Sequence, residues 1–349
     1  MLESYNNAAL RRPHLTLGEQ AGWLTTEIKR VQVPPATVRR PCAAIFVEES
    51  ILKQSEKWKR GLPYVGNKGQ KAEKIINILP SGHRLVDVFG GGGSISLTAA
   101  ASGKWDEVVY NDKRVTVVNL LKALIGDDIH FDLMKYVYMD RKKFYNWRDN
   151  MPDSIERTLV LTAWSFSNDL RSYLWGPKTE QEKLRMSRAL FWGNTQTSLD
   201  ELYEYAKTET TIFGKNKRLH QYFLEKRGHC DRNEGLERLQ QLERLQQLER
   251  LQQLERLQYS TLDYRQLNIT ASDTVYCDPP YIGTGQSYDG FDNGAFQHWL
   301  AKCPAKQIYI SEYTQLPHTE VAFILGKKQS FQAKGKRPNE LLLKYIKPD

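Results

Sequence analysis

The stretch TVYCDPPY, Thr274 to Tyr281, sets an acid, two prolines and an aromatic directly behind a short apolar run. Thr274 to Cys277 reads as a β-strand that Asp278 must end. A residue before proline is pushed towards extended geometry, and the proline itself has no amide hydrogen for a ladder. In an open parallel sheet the carboxyl ends of the strands face the ligand crevice, so such a break would look into it. Asp278 and the carbonyl of Pro279 are two acceptors whose separation Pro279 and Pro280 stiffen. They suit a primary amine with two hydrogens to donate, such as the exocyclic amine of adenine. Tyr281 offers a flat face on which a base can stack. A loop with a capping aspartate is the alternative, but it explains less well why DPPY follows a strand.

A second corner lies in LVDVFGGGGSISL, Leu85 to Leu97, where a glycine run follows a strand and opens a helix. Backbone there can approach a bound cofactor without side-chain collision. Gly90, Gly91 and Gly93 imitate the GxGxxG of dinucleotide binders, a weak signal by itself. The next strand ends VVYND, which puts Asp112 about 20 residues on, where a carboxylate can accept the ribose hydroxyls of an adenosine-type ligand. Capping the helix of KRVTVVNLLKAL is the other task open to Asp112.

The elements that must position these corners alternate from Lys57 onwards. GQKAEKIINILP reads as an amphipathic helix stopped by Pro80, RLVDVFGGGGSISLTAAASG as strand, glycine turn and helix, and EVVYND as the next strand. That order implies a parallel α/β sheet. Residues from about 130 to 235 are richer in charge and aromatics and read as helices with basic loops. The sheet pattern resumes near Tyr259 and continues through TVYC, QIYIS, VAFIL and LLLKYI.

LERLQQLERLQQLERLQQLERLQ, Leu236 to Gln258, holds three complete hexads and a truncated fourth. Leucine at every third position advances about 300° per step, so the stripe drifts around a helix instead of holding the face of a long coiled coil. A helical connector is expected, with a short leucine-stacked solenoid as the alternative and no site chemistry in either. Residues 1–57 are basic and proline-bearing, without sustained periodicity, and read as an appended extension of unknown role.

Lys and Arg total 50 against 41 Asp and Glu, a net charge of +9, and such a field attracts polyanions, nucleic acid first among them. No run approaches the roughly 20 apolar residues that span a bilayer, and the first residues lack the basic-then-apolar pattern of a secretory signal, so the cytoplasm is the expected location. The four cysteines form no CxxC pair, which argues for reduced thiols and against a structural metal.

DPPY, together with LPYVGNKGQKAEKIINILP and LVDVFGGGGSISL, resembles the Dam-type DNA adenine methyltransferase family, in the order cofactor motifs, recognition region, catalytic motif. VVYNDKRVTVVNLLKAL, WSFSNDLRSY, LDYRQL and NELLLKYI agree with that family's further segments. The resemblance runs from about Trp58 to the end. It implies a Rossmann-like α/β sheet of the S-adenosylmethionine-dependent methyltransferases with a mostly helical target-recognition region. The catalytic domain would comprise residues 58–128 and 259–349, the recognition region 129–235 and the repeat connector 236–258. S-adenosylmethionine would lie over Phe89, Gly90, Gly91 and Gly92 behind the Asp87 strand end, with Tyr64 and Lys68 closing over it. Asp112 would hold its ribose, and Asp263 and Tyr264 would border its adenine.

The resemblance further implies that an adenine flipped out of double-stranded DNA is held by Asp278, Pro279, Pro280 and Tyr281 for direct in-line methyl transfer, with no metal. Phe166, Asn168 and Arg171 are the expected DNA contacts, although Phe166 could be core and Arg171 a phosphate clamp. LWGPKTEQEK departs from the family's Gly-x-Phe-Asn recognition loop, which leaves the target sequence open, as are the oligomeric state and any partner nuclease. An RNA or cytosine-amine methyltransferase, a dinucleotide oxidoreductase and a non-catalytic DNA-binding protein are the rival classes.

Overall fold

The computed structural model describes residues 61–126, 129–193, 197–228, 232–246, 252–282, 291–327 and 338–348. All of them belong to one compact unit, Glu49–Asp349; the extension over residues 1–57 and the stretch 247–251 inside the hexad repeat lie outside the described residues, and the last two residues of the repeat, Leu257 and Gln258, already belong to a strand and not to a helical connector.

Seven strands form one sheet in the order β3-β2-β1-β4-β5-β7-β6. They are β1 Gly82–Asp87, β2 Trp105–Asn111, β3 Leu257–Ser260, β4 Thr274–Cys277, β5 Gln307–Glu312, β6 Thr319–Lys327 and β7 Asn339–Tyr345. The first five are parallel. β7 runs antiparallel to both β5 and β6, a direction that the alternating pattern of the first strands does not specify. The parallel core agrees with the alternating pattern, because parallel neighbours require a crossover whereas antiparallel ones do not. All four residues of β4 are buried, the continuous apolar run expected of a strand covered on both faces.

Three helices flank the cofactor-type corners: α1 Ala72–Ile78, α2 Ser94–Ser102 and α3 Val115–Ile125. α1 forms within GQKAEKIINILP and gives way at Leu79, which is extended ahead of Pro80. The chain runs outward from β1 to β2 and β3, then returns to place β4 on the other side of β1. The strand order therefore reverses between the end of β1 and the end of β4, the point at which open α/β sheets form their crevice.

Between β2 and β3 lies a helical layer: α4 Arg141–Asp149, α5 Ile155–Trp164, α6 Pro177–Trp192, α7 Thr197–Ala206, α8 Ile212–Arg227 and α9 Glu234–Gln246. Local chemistry starts several of them. Asp140 accepts from the Lys143 amide at 2.7 Å, Ser154 from Arg157 at 3.1 Å and Thr211 from Gly214 at 2.9 Å, each satisfying a first-turn N–H.

The hexad repeat is part of the core. Leu236, Leu239, Leu242 and Leu245 of α9 are fully buried. Three steps of about 300° spread four leucines over roughly half the helix circumference, which needs neighbours on several sides. α9 has them in α3, α5 and α8. Gly235 lets this helix meet Trp164, since a Cβ there would come within 2.3 Å of the indole ring. The last of the ten α-helices among the described residues, α10 Asn293–Lys302, lies between β4 and β5 and is capped by Asp292, which accepts from Ala295 at 3.0 Å. Among the described residues no helix is long and apolar enough to cross a membrane.

Candidate active site

A cleft of about 1090 Å³ opens over the strand ends. β1 delivers Asp87, 1% exposed, whose Oδ2 accepts from the Ser96 hydroxyl at 2.6 Å while Oδ1 has no hydrogen-bond partner among the described residues. Burial pushes the Asp87 carboxyl up to about 7, against the pull of the Ser96 hydrogen bond.

The glycine corner follows. Gly90 is required by a protein neighbour, because a Cβ there would lie 2.2 Å from the Tyr110 ring. Gly92 joins the corner to the preceding loop, its carbonyl accepting from the Leu62 amide at 2.7 Å. Gly93 has φ +79° and starts α2, a conformation that favours glycine. The run is therefore explained largely by close packing against the protein itself, a reason the residue spacing did not disclose.

Asp112 closes the corner. Its Oδ2 accepts from the Gly91 amide at 2.9 Å and its Oδ1 from the Arg114 amide at 2.8 Å. α3 begins only at Val115, and its N-cap residue, Arg114, makes no side-chain cap bond. Asp112 is thus a clamp between loop and turn, not the helix cap that the sequence left open. Tyr64, 5% exposed, packs on the corner, and its hydroxyl accepts from Arg114 Nη1 at 2.8 Å.

An aromatic wall borders the same cleft. The Phe89 ring lies 5.5 Å from Tyr264 and 5.7 Å from Phe291, within the range of favourable aromatic contact. Asp263 is held by Arg265 through bonds of 2.7 and 3.0 Å. That pairing draws its carboxyl down to about 2, so the Asp263 side chain is committed to Arg265 while its residue lines the cleft.

From β4 comes Asp278, with Pro279, Pro280 and Tyr281 beside it in the cleft. Asp278 Oδ2 lies 2.6 Å from the Lys68 ammonium, and among the described residues Oδ1 is buried without a hydrogen-bond partner. Burial raises the Asp278 carboxyl and Lys68 opposes the rise. Asp278 and Glu340 hold the Lys68 ammonium above its ordinary value despite burial. The Tyr281 hydroxyl donates to Glu340 Oε1 at 3.0 Å, and its ring meets Tyr313 edge-on at 4.6 Å. Glu312, 1% exposed at the end of β5, accepts from the Ile282 amide at 3.1 Å and pins the chain leaving this loop.

The expected DNA contacts fall in a hairpin-like turn. Leu174 N donates to Trp164 O at 2.9 Å and Phe166 N to Ser172 O at 2.6 Å. Ser167, Asn168 and Leu170 all have positive φ, at 51°, 58° and 59°, a strained arrangement for residues with a Cβ. Asn168 lines the cleft and its Oδ1 is buried without a partner. Phe166 is 45% exposed and, like Arg171, does not line the cleft; the core alternative for Phe166 is not what the structure displays. Arg171 is exposed, and its carbonyl accepts from Arg148 at 2.8 Å.

The cleft also receives residues that spacing alone did not single out. Arg238 and Gln241 of α9 line it, so the repeat reaches the cleft through side chains that hold the surrounding backbone. Arg238 donates to the carbonyls of Ala163 and Ser165 at the root of the hairpin, and Gln241 to the Gly61 carbonyl. Burial lowers the Arg238 guanidinium to about 10. Glu340, 5% exposed at the start of β7, was visible only as an acid opening the apolar run NELLLKYI. Among the described residues no group of three or more His, Cys, Asp or Glu could hold a metal ion.

No curated relative matches the chain. The sequence model of the D12 class N6 adenine-specific DNA methyltransferases matches residues 64–299, a stretch that contains both the glycine corner and Asp278. Sheet, cleft and match agree: the chain belongs to the D12 class of N6 adenine-specific DNA methyltransferases, a family that implies S-adenosylmethionine as the methyl donor.

Proposed function

We propose that this chain methylates the exocyclic amine of an adenine rotated out of duplex DNA, by direct in-line transfer at Asp278. The observation that carries this reading is Asp278 Oδ1, a buried carboxylate oxygen at the end of β4 that has no hydrogen-bond partner among the described residues. A buried acceptor left open is costly unless a ligand completes it. The donor supplies an electrophilic methyl group on a sulfonium.

The residues of this chain do the rest. Asp278 and the Pro279 carbonyl accept both amine hydrogens, which favours a more tetrahedral nitrogen with an available lone pair. Tyr281 stacks the base, with Pro280 completing the loop that presents it. Holding both reactants in one cleft removes the entropy cost of their meeting. An amine inside a duplex cannot reach a cleft of this kind, so the base must leave the stack.

For the donor, Asp87, Phe89 to Gly92, Asp112 and Tyr264 form the fitting wall, with Tyr64 over the corner. Two features support the fit: the aromatic rings of Phe89, Tyr264 and Phe291, and Asp87 Oδ1, which has no hydrogen-bond partner among the described residues. Asn168 faces the same cleft and belongs to the DNA contact set, with Phe166 and Arg171 on the outer side of the turn.

Sequencing methylated adenines in DNA from cells that express the chain tests this function and reveals the target sequence. Methylation at a fixed sequence is expected, together with its loss in Asp278→Ala while much of the cofactor affinity remains. Near-normal turnover in that variant would sink the assignment.

A further inference from the structure

Lys68 precedes α1, yet its ammonium lies 2.6 Å from Asp278 Oδ2 and 5.0 Å from the centroid of the Tyr281 ring. These are the two groups to which the proposed function assigns the amine and the face of the target base. A cation over an aromatic face and against a carboxylate is a favourable placement, so the seat of the base is taken. The same ammonium lies 3.5 Å from Glu340 Oε1, while Lys71 holds Glu340 Oε2 at 2.5 Å.

We propose that Lys68 is a placeholder and positioning residue: its ammonium stands on Asp278 while no base is present and moves onto Glu340 when the target adenine enters. The inference rests on the proposed function and adds a gate to it. Without Lys68, Asp278 would be a buried carboxylate lacking any compensating charge, an expensive state. With Lys68 its Oδ2 is paired, and among the described residues Oδ1 is buried without a hydrogen-bond partner. Glu340 is already within 3.5 Å of the ammonium, so a side-chain rotation completes the exchange without returning the cation to water. Glu340 also accepts from the Tyr281 hydroxyl at 3.0 Å. Arrival of Lys68 is therefore felt at the ring on which the base stacks.

The resemblance implied instead that Lys68 closes over the cofactor, and the two roles differ in sign. As a placeholder, Lys68 reduces the fraction of protein able to accept the base, which raises the apparent constant for DNA. Arg in its place would grip Asp278 through two bonds and block more strongly, and Ala would relieve the block.

The test is steady-state methylation by the full chain of a duplex carrying its mapped target, with S-adenosylmethionine affinity measured by calorimetry in the absence of DNA. The expected KM for DNA ranks Lys68→Ala below the unaltered protein and Lys68→Arg above it, by about three- to tenfold each way, with cofactor affinity within about twofold throughout. Glu340→Gln removes the receiving anion and raises KM, and adding Lys68→Ala cancels the rise. Should Lys68→Ala fail to fold, the Lys68→Arg and Glu340→Gln variants still decide the matter.

A reversed ranking, in which Arg replaces Lys without effect and Ala raises KM, overturns the placeholder. So does a loss of cofactor affinity of more than about tenfold in Lys68→Ala. If the unaltered protein methylates no adenine, the proposed function falls as well; if it methylates and only the ranking is reversed, the placeholder alone falls.

Discussion

The two corners at the ends of β1 and β4 do opposite things with side chains. Gly90 to Gly93 discards them: Gly90 lies against Tyr110, and the Gly91 amide is tied to Asp112. Asp278 to Tyr281 concentrates them, with Lys68, Glu340 and Tyr313 packed around an acid and a phenol. β1 and β4 are neighbours in register, Asp87 beside Tyr276, so the two corners face one cleft. The difference teaches that one corner presents backbone, rigid and already satisfied, whereas the other presents charge held in a balance that a ligand can tip.

The largest effect should come from breaking the charged corner. Asp278→Asn keeps the shape but removes the anion and offers a donor where an acceptor is needed. Turnover on the mapped duplex is expected to fall by about 10²- to 10³-fold, while calorimetry shows cofactor affinity changed only a few-fold.

Next comes the acid that links the corners. The Asp87 carboxyl is raised from 3.8 to about 7 in the folded protein. Between those values the folded state holds a proton that the unfolded chain has released, so its contribution to stability is full below pH 4 and is lost as pH rises through 7. Asp87→Asn should therefore lie close to the unaltered protein at pH 4 and exceed it at pH 8 by of the order of 4 kcal/mol in denaturant unfolding. An equal difference at both pH values would contradict the buried-acid explanation.

The backbone corner should break through packing instead. Gly90→Ala puts a methyl 2.2 Å from the Tyr110 ring and is expected to cost about 1–3 kcal/mol of stability, read as a lower melting temperature with weaker cofactor binding. The mildest change sharpens the comparison. Tyr281→Phe keeps the stacking face and loses the 3.0 Å bond to Glu340, worth about 1 kcal/mol; turnover should fall by less than about tenfold. A loss as large as that of Asp278→Asn would make the hydroxyl, not the ring, the working part of Tyr281.

Much of this architecture was legible because it is local. Asp278 before Pro279 ends a strand whatever surrounds it, and VVYND behind a glycine turn places Asp112 one strand along. The antiparallel β7 was less legible, since LLLKYI is apolar enough for either direction and only its pairing with β5 and β6 distinguishes them. The hexad repeat misled for a related reason. Its drifting leucine stripe lacks a single face, and only the presence of α3, α5 and α8 around it turns that drift into complete burial.

The sequence by itself determined where the strands stop and which residues stand at their ends, because backbone sterics and proline act over neighbouring residues. The tertiary structure alone decided what those residues touch. Lys68, Asp278 and Glu340 come from three distant parts of the chain and meet only when α1, β4 and β7 pack. Arg238 reaches the hairpin root because buried leucines orient α9. Charge partners and open acceptors are properties of that meeting, since burial and distance set their energies and neither is written in residue order.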